Sequence, residues 1–160
     1  MKKHYIALAI TALTTVVGII GIAKGGTLPM HWNINGEVDR TGSSWELLIP
    51  MGIAIAMYLL FWFLEKHPEY SNTNLRREVK EKGKALLSNY SANLNIIMSI
   101  VMLYVMLTIT MVLPLTPVVT TLMAVILVGY TLFFAHKVRR LNRNAVKGDM
   151  MKENENESNI

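Results

Sequence analysis

Four blocks of apolar residues, at about 5–23, 45–64, 94–113 and 116–135, restrict this chain more than any other feature it has. None of them carries Asp, Glu, Lys or Arg in its middle. A helix rises about 1.5 Å per residue, so blocks of this length match a hydrocarbon layer ~30 Å thick. In lipid a helix also satisfies its own backbone groups, which an irregular segment cannot do. Helices of a soluble bundle would show a polar face, whereas these are apolar all round. The expected fold is therefore all-α: an integral membrane protein with four transmembrane helices. These four spans make one domain over residues 1–136. Residues 137–160, basic and then polar, read as a disordered tail.

The distribution of cations predicts an orientation. Two Lys or Arg precede the first block, two lie between the first and second, and six lie between the second and third. None falls in the short connection around Pro114 and Pro117, and six follow the fourth block. Alternate stretches thus hold fourteen against two, and the positive-inside rule places both termini and the long connection in the cytoplasm. Trp45 and Trp62 bracket the second block as interfacial aromatics do. Pro114 and Pro117 are expected to end the third helix and start the fourth. Lys2 and Lys3 before an apolar stretch raise the question of a cleaved leader. No small-x-small site precedes Lys24, so a retained first helix is expected. Gly21-xxx-Gly25 and Gly52-xxx-Ala56 are spacings that permit close helix packing.

Between the second and third blocks, residues 74–90 have an amphipathic pattern. Leu75, Val79, Leu86 and Tyr90 share one helical face, and Arg76, Arg77, Lys80 and Lys84 occupy the others. That pattern predicts a basic helix lying on an anionic leaflet, or a docking surface for a cytoplasmic partner. The net charge of +5 belongs to the flanks of membrane helices, so no nucleic-acid partner is expected.

Chemistry-bearing residues are sparse. The chain has no cysteine, which excludes disulfides, thiolate metal sites and cysteine nucleophiles. No ionisable side chain is evident within the spans, with Glu46, Glu65 and His136 at block ends, so a self-sufficient coupled transporter is disfavoured. Met98, Met102 and Met106 share a face of the third helix. Thioethers can select copper(I), but in a chain with eleven Met the stripe reads as packing.

The exception is the connection between the first two blocks. Pro29, His31, Trp32, Asn33, Asn35, Gly36 and Asp39 stand within eleven residues there. Pro29 stiffens the approach, Gly36 permits a turn, and Asn33 and Asn35 can bond nearby backbone. His31 and Asp39 could converge on a ligand, on a metal or on each other. One His and one Asp fall short of the three or four ligands that zinc takes. A compact structural loop and a ligand site are both consistent with these residues.

The pattern Pro29-x-His31-Trp32-Asn33-x-x-Gly36-x-x-Asp39, followed by Gly42-Ser43-Ser44-Trp45, resembles a bacterial membrane domain best known from the N-terminal part of Sdp-type toxin-immunity proteins. The likeness covers about seventeen contiguous residues. The immunity proteins run on to further spans, whereas this chain carries four. The resemblance implies residence in a bacterial cytoplasmic membrane and protection of a producing cell from a secreted peptide. In the family's prototype it also implies signalling by sequestering a repressor. The expected protein is thus non-enzymatic, needs no cofactor, and partners the bilayer and either a peptide toxin or another membrane protein. Two alternatives stay open: a small membrane enzyme or metal-dependent site using His31 and Asp39, with Glu37, and an accessory subunit of a transporter.

Overall fold

The computed structural model describes residues 3–71, 73 and 79–158. Its elements run α1 (Lys3–Lys24), β1 (Thr27–Trp32), β2 (Val38–Ser43), a 3-10 turn (Ser44–Leu47), α2 (Leu48–Lys66), a second 3-10 turn (Pro68–Tyr70), α3 (Lys80–Ile109) and α4 (Pro117–Ser158). Four helices are long and apolar enough to cross a membrane. The connections of residues 25–43 and 110–116 lie at one end, called here the hairpin end. The basic connection and the start of α1 lie at the other.

Helices α1, α2 and α3 form the packed part of the molecule. The buried residues of α1 are His4, Ala7, Thr11, Thr14, Gly18 and Gly21. Their intervals of three and four residues are the heptad seam of a helix packed at a shallow angle. The seam is small and polar, and the large apolar side chains Leu8, Leu13, Val16, Ile19 and Ile20 point outward. Ser91, Asn95 and Ser99 supply a matching seam on α3, where Thr11 and Ser99 share a buried hydrogen bond of 3.1 Å. Towards the hairpin end the interior turns apolar, with Leu28, Leu47, Met51, Met106 and Ile109 in one cluster. Of the methionine stripe, Met106 is therefore core packing.

Of the glycines the spacing suggested, only Gly21 meets a neighbour closely, and Gly18, outside both spacings, does so too. A Cβ on Gly21 would lie 2.7 Å from Leu47 Cδ1, and one on Gly18 would lie 2.5 Å from Met51 Sδ. Gly25 and Gly52 have nothing within 4 Å. Small residues matter where a neighbouring helix arrives, and spacing alone does not say which face that is.

α4 joins through α3. Tyr90 stacks on Phe134 at 3.8 Å and on Tyr130 at 5.3 Å, and Asn93 donates to the Tyr130 hydroxyl at 2.8 Å. None of the described residues in the apolar half of α4 is buried.

Four expectations are corrected by this architecture. The chain is mostly helical but not all-α, because residues 27–43 form a β-hairpin. The helix-breaking Gly25, Gly26 and Pro29, with an Asn-Gly turn, remove that stretch from helical geometry. The third span stops at Ile109 rather than 113. Met111 adopts φ +57°, Val112 N–H bonds Leu107 O at 2.9 Å, and Met111 N–H bonds Thr108 O at 3.0 Å. That is a Schellman closure made without glycine, four residues before the stretch of prolines expected to end the helix. Residues 74–78 of the amphipathic segment lie outside the described residues. From Lys80 the chain is already α3, so Leu86 and Tyr90 belong to a helix continuous with the span, and Tyr90 faces α4. The tail after 136 is helical to Ser158, since no proline follows Pro117 and good helix formers predominate.

Candidate functional site

The hairpin is held onto the bundle by β1. Leu28 sits in the buried cluster, with Pro29 buried next to it, Met30 and Trp32 pack against the cluster, and His31 between them is exposed. From Met30 to Trp32 this is the two-residue period of a strand with one covered face. The pairing is antiparallel but interrupted twice. Pro29 opposes Thr41 and His31 opposes Arg40, so Met30 is an extra residue on β1. Trp32 then opposes Val38, which leaves Asp39 as an extra residue on β2. Such bulges re-aim side chains. Here the second one turns Asp39 beside His31, with Oδ1 2.6 Å from Nδ1.

Asn33, Asn35 and Gly36 build the turn. Gly36 N–H donates to Asn33 O at 2.9 Å, and Gly36 has φ +83°, a conformation that favours glycine. The Asn33 side chain accepts from the backbone N–H of Asn35 and of Glu37, each at 3.0 Å, and donates to Glu37 Oε2 at 2.8 Å. The tip leans on the start of α4, where a Cβ on Gly36 would lie 3.3 Å from Pro117 Cγ. Asn33→Ala should therefore loosen the tip by about 1 kcal/mol. Faster hydrogen exchange at the Asn35 and Glu37 amides, with the helices unchanged, is the expected reading.

Sequence reasoning missed a second brace. Glu46 completes a capping box with Ser43, accepting from its N–H at 3.1 Å, and pairs with Arg40 at 2.5 Å. Ser43 with Glu46 three residues later, in Ser43-Ser44-Trp45-Glu46, carried that signal. Gly42 is required beside it, because a Cβ there would collide with the Glu46 carboxylate.

With the turn held by Asn33 and the root by Glu46, His31 and Asp39 are left at the surface. Their side chains are 65% and 44% exposed. A carboxylate only accepts, so His31 Nδ1 is the donor, and in a neutral ring that arrangement leaves Nε2 as the acceptor. Asp39 thereby fixes both the tautomer and the aim of the ring. On the bundle side of the hairpin, an apolar groove of about 370 Å³ lies between Pro29, Trp32 and Val38 and the α3–α4 connection at Leu113, Pro114 and Leu115, and neither His31 nor Asp39 lines it. The exposed pair can hydrogen-bond a ligand at the surface of the hairpin. Among the described residues no group of three or more His, Asp or Glu could hold a metal ion.

The opposite end holds what the sequence reading did not anticipate. His4 Nδ1 lies 3.1 Å from Glu65 Oε1, with side chains only 8% and 14% exposed. Ser88 of α3 donates to the Glu65 carbonyl at 2.7 Å, which ties three helices together. Deeper in the seam, Asn95 Nδ2 donates to Tyr58 O at 3.2 Å. The two hydrogen-bonded residues are 61 apart in the chain, and only packing brings them together. Comparison with protein-family models, with curated proteins and with solved structures gives no match.

Proposed function

We propose that this chain is a non-enzymatic, multi-pass protein of a bacterial cytoplasmic membrane that presents its hairpin outside and binds a secreted peptide there. Membrane residence is supported by the inside-out packing of α1, with Thr, Ser and Asn inward and Leu, Ile and Val outward. In water such a surface would aggregate, whereas in lipid small and polar seams are what hold helices together. The fourteen-to-two distribution of cations supports both termini in the cytoplasm. The absence of native cysteine makes this directly testable. Ile34→Cys at the hairpin tip should react with a membrane-impermeant thiol reagent in intact cells. Met150→Cys should react only after permeabilisation, and the reverse pattern would refute the orientation.

One observation carries the binding role. His31 and Asp39 are paired and aimed outward by a bulge, while other residues hold the hairpin together. The resemblance to Sdp-type immunity proteins supports a peptide as the ligand.

The test is protection. Sensitive cells carrying this chain are challenged with medium from a strain that secretes an Sdp-type peptide toxin. Survival should rise, and His31→Ala or Asp39→Asn should abolish the gain at unchanged protein level. Exposed ion pairs contribute only ~0–1 kcal/mol, so abundance should not follow. Protection that survives both substitutions, or abundance that falls in step with it, rejects a ligand role for the pair.

A further inference from the structure

A cleft of about 450 Å³ lies on the other side of Met111 and Val112 from the groove at Trp32. It opens between the last turns of α1 and the end of α3. On the α1 side its wall changes character along the helix: Val17 and Ile20, with Leu107 opposite, line the lower part, and Lys24, Gly26 and Thr27 stand at the mouth with Met111 and Val112. From Val17 to Lys24 the α1 axis rises about 10 Å, so the change from apolar to polar runs along the helix. Gly25 and Gly26 leave the mouth open, since a Cβ on either would have nothing within 4 Å.

Lys24 is what gives this cleft a preference. Only two cations belong to this end, Lys24 and Arg40, and Arg40 is paired with Glu46. Lys24 is exposed and makes no hydrogen bond or ion pair among the described residues. An unneutralised ammonium above an apolar slot matches an amphiphile with an anionic head and an acyl chain. A lysine at a helix end also favours the last carbonyls, but that contact leaves the slot beneath it empty.

We propose that this cleft is a binding site for one phospholipid with an anionic headgroup, its phosphate at Lys24 and one chain along Val17, Ile20 and Leu107. The inference needs only membrane insertion and does not depend on the peptide ligand. It also gives the lysine a partner in the leaflet where the positive-inside rule disfavours it.

The full-length chain in detergent is titrated with phosphatidylglycerol or phosphatidylcholine of identical acyl chains, and bound lipid is read by native mass spectrometry. The first phosphatidylglycerol should bind about fivefold more tightly than phosphatidylcholine, as one lysine near a lipid phosphate provides. Lys24→Gln should erase that preference without altering phosphatidylcholine binding, and Val17→Trp should weaken both lipids by filling the slot. Soluble glycerol phosphate should not compete. The proposal is overturned if Lys24→Gln keeps the preference while combined Arg139→Gln, Arg140→Gln and Arg143→Gln removes it. Competition by glycerol phosphate would overturn it too, since a free-anion site would then suffice.

Discussion

Gly21→Val should cost the bundle more than any other single added side chain on α1. A Cβ at Gly21 would lie 2.7 Å from Leu47 Cδ1 and 2.9 Å from Thr110 Cγ2. Leu47 is fully buried, and Thr110 is held by its own hydroxyl to Met106 O at 2.8 Å, so neither neighbour can retreat cheaply. Overpacking of this kind costs about 1–3 kcal/mol, and valine adds more than the Cβ alone. Gly18→Ala should be milder, because the atom in its way is the sulfur of Met51, an adaptable side chain. Gly52→Ala meets nothing and should stabilise α2 by up to ~1 kcal/mol through helix propensity. Thermal unfolding of the three variants in one detergent orders them. If Gly52→Ala proved as harmful as Gly21→Val, the packing of α1 against α2 described above would be wrong.

The second large effect is expected at the other end. Glu65→Ala leaves His4 buried with no partner, and the penalty for such a group is about 1–3 kcal/mol. Glu65→Gln keeps an amide that can bond the ring and should lose less. The informative variant is the double replacement of His4 by Phe and Glu65 by Leu. Replacing both partners of a buried polar pair by apolar groups of similar volume is often nearly neutral, so the double variant should recover most of the stability lost by Glu65→Ala. A double-mutant cycle reads the coupling directly. Simple addition of the single effects would mean that the two residues do not act as a pair.

That Gly21 is packed while Gly25 and Gly52 are open, and that His4 meets Glu65, are hidden in the sequence for one reason. Spacing along a helix says which residues share a face, but the face that meets a neighbour depends on where the neighbour is. The heptad of His4, Ala7, Thr11, Thr14, Gly18 and Gly21 is visible in α1 once the buried face is known. In an apolar stretch it is masked, because the outward residues are as hydrophobic as any core. The hairpin had a local sign, Asn35-Gly36 between Leu28…Trp32 and Val38…Thr41, which is a turn dipeptide between strand-forming runs. Its register had none.

By itself the sequence determined the four long apolar helices, the turn at Gly36, the start of α4 at Pro117 and the concentration of chemistry between Pro29 and Asp39. These follow from local terms: transfer of side chains to an apolar medium, backbone preferences of Gly, Pro and Asn, and hydrogen bonds over a few residues. Tertiary structure decided the two bulges that set Asp39 beside His31, the brace of Arg40 on Glu46, the burial of His4 against Glu65, and the cleft under Lys24. Each depends on where two separately formed elements meet. That meeting is settled by the packing of small seams, whose energies are summed over many weak contacts rather than written at any one residue.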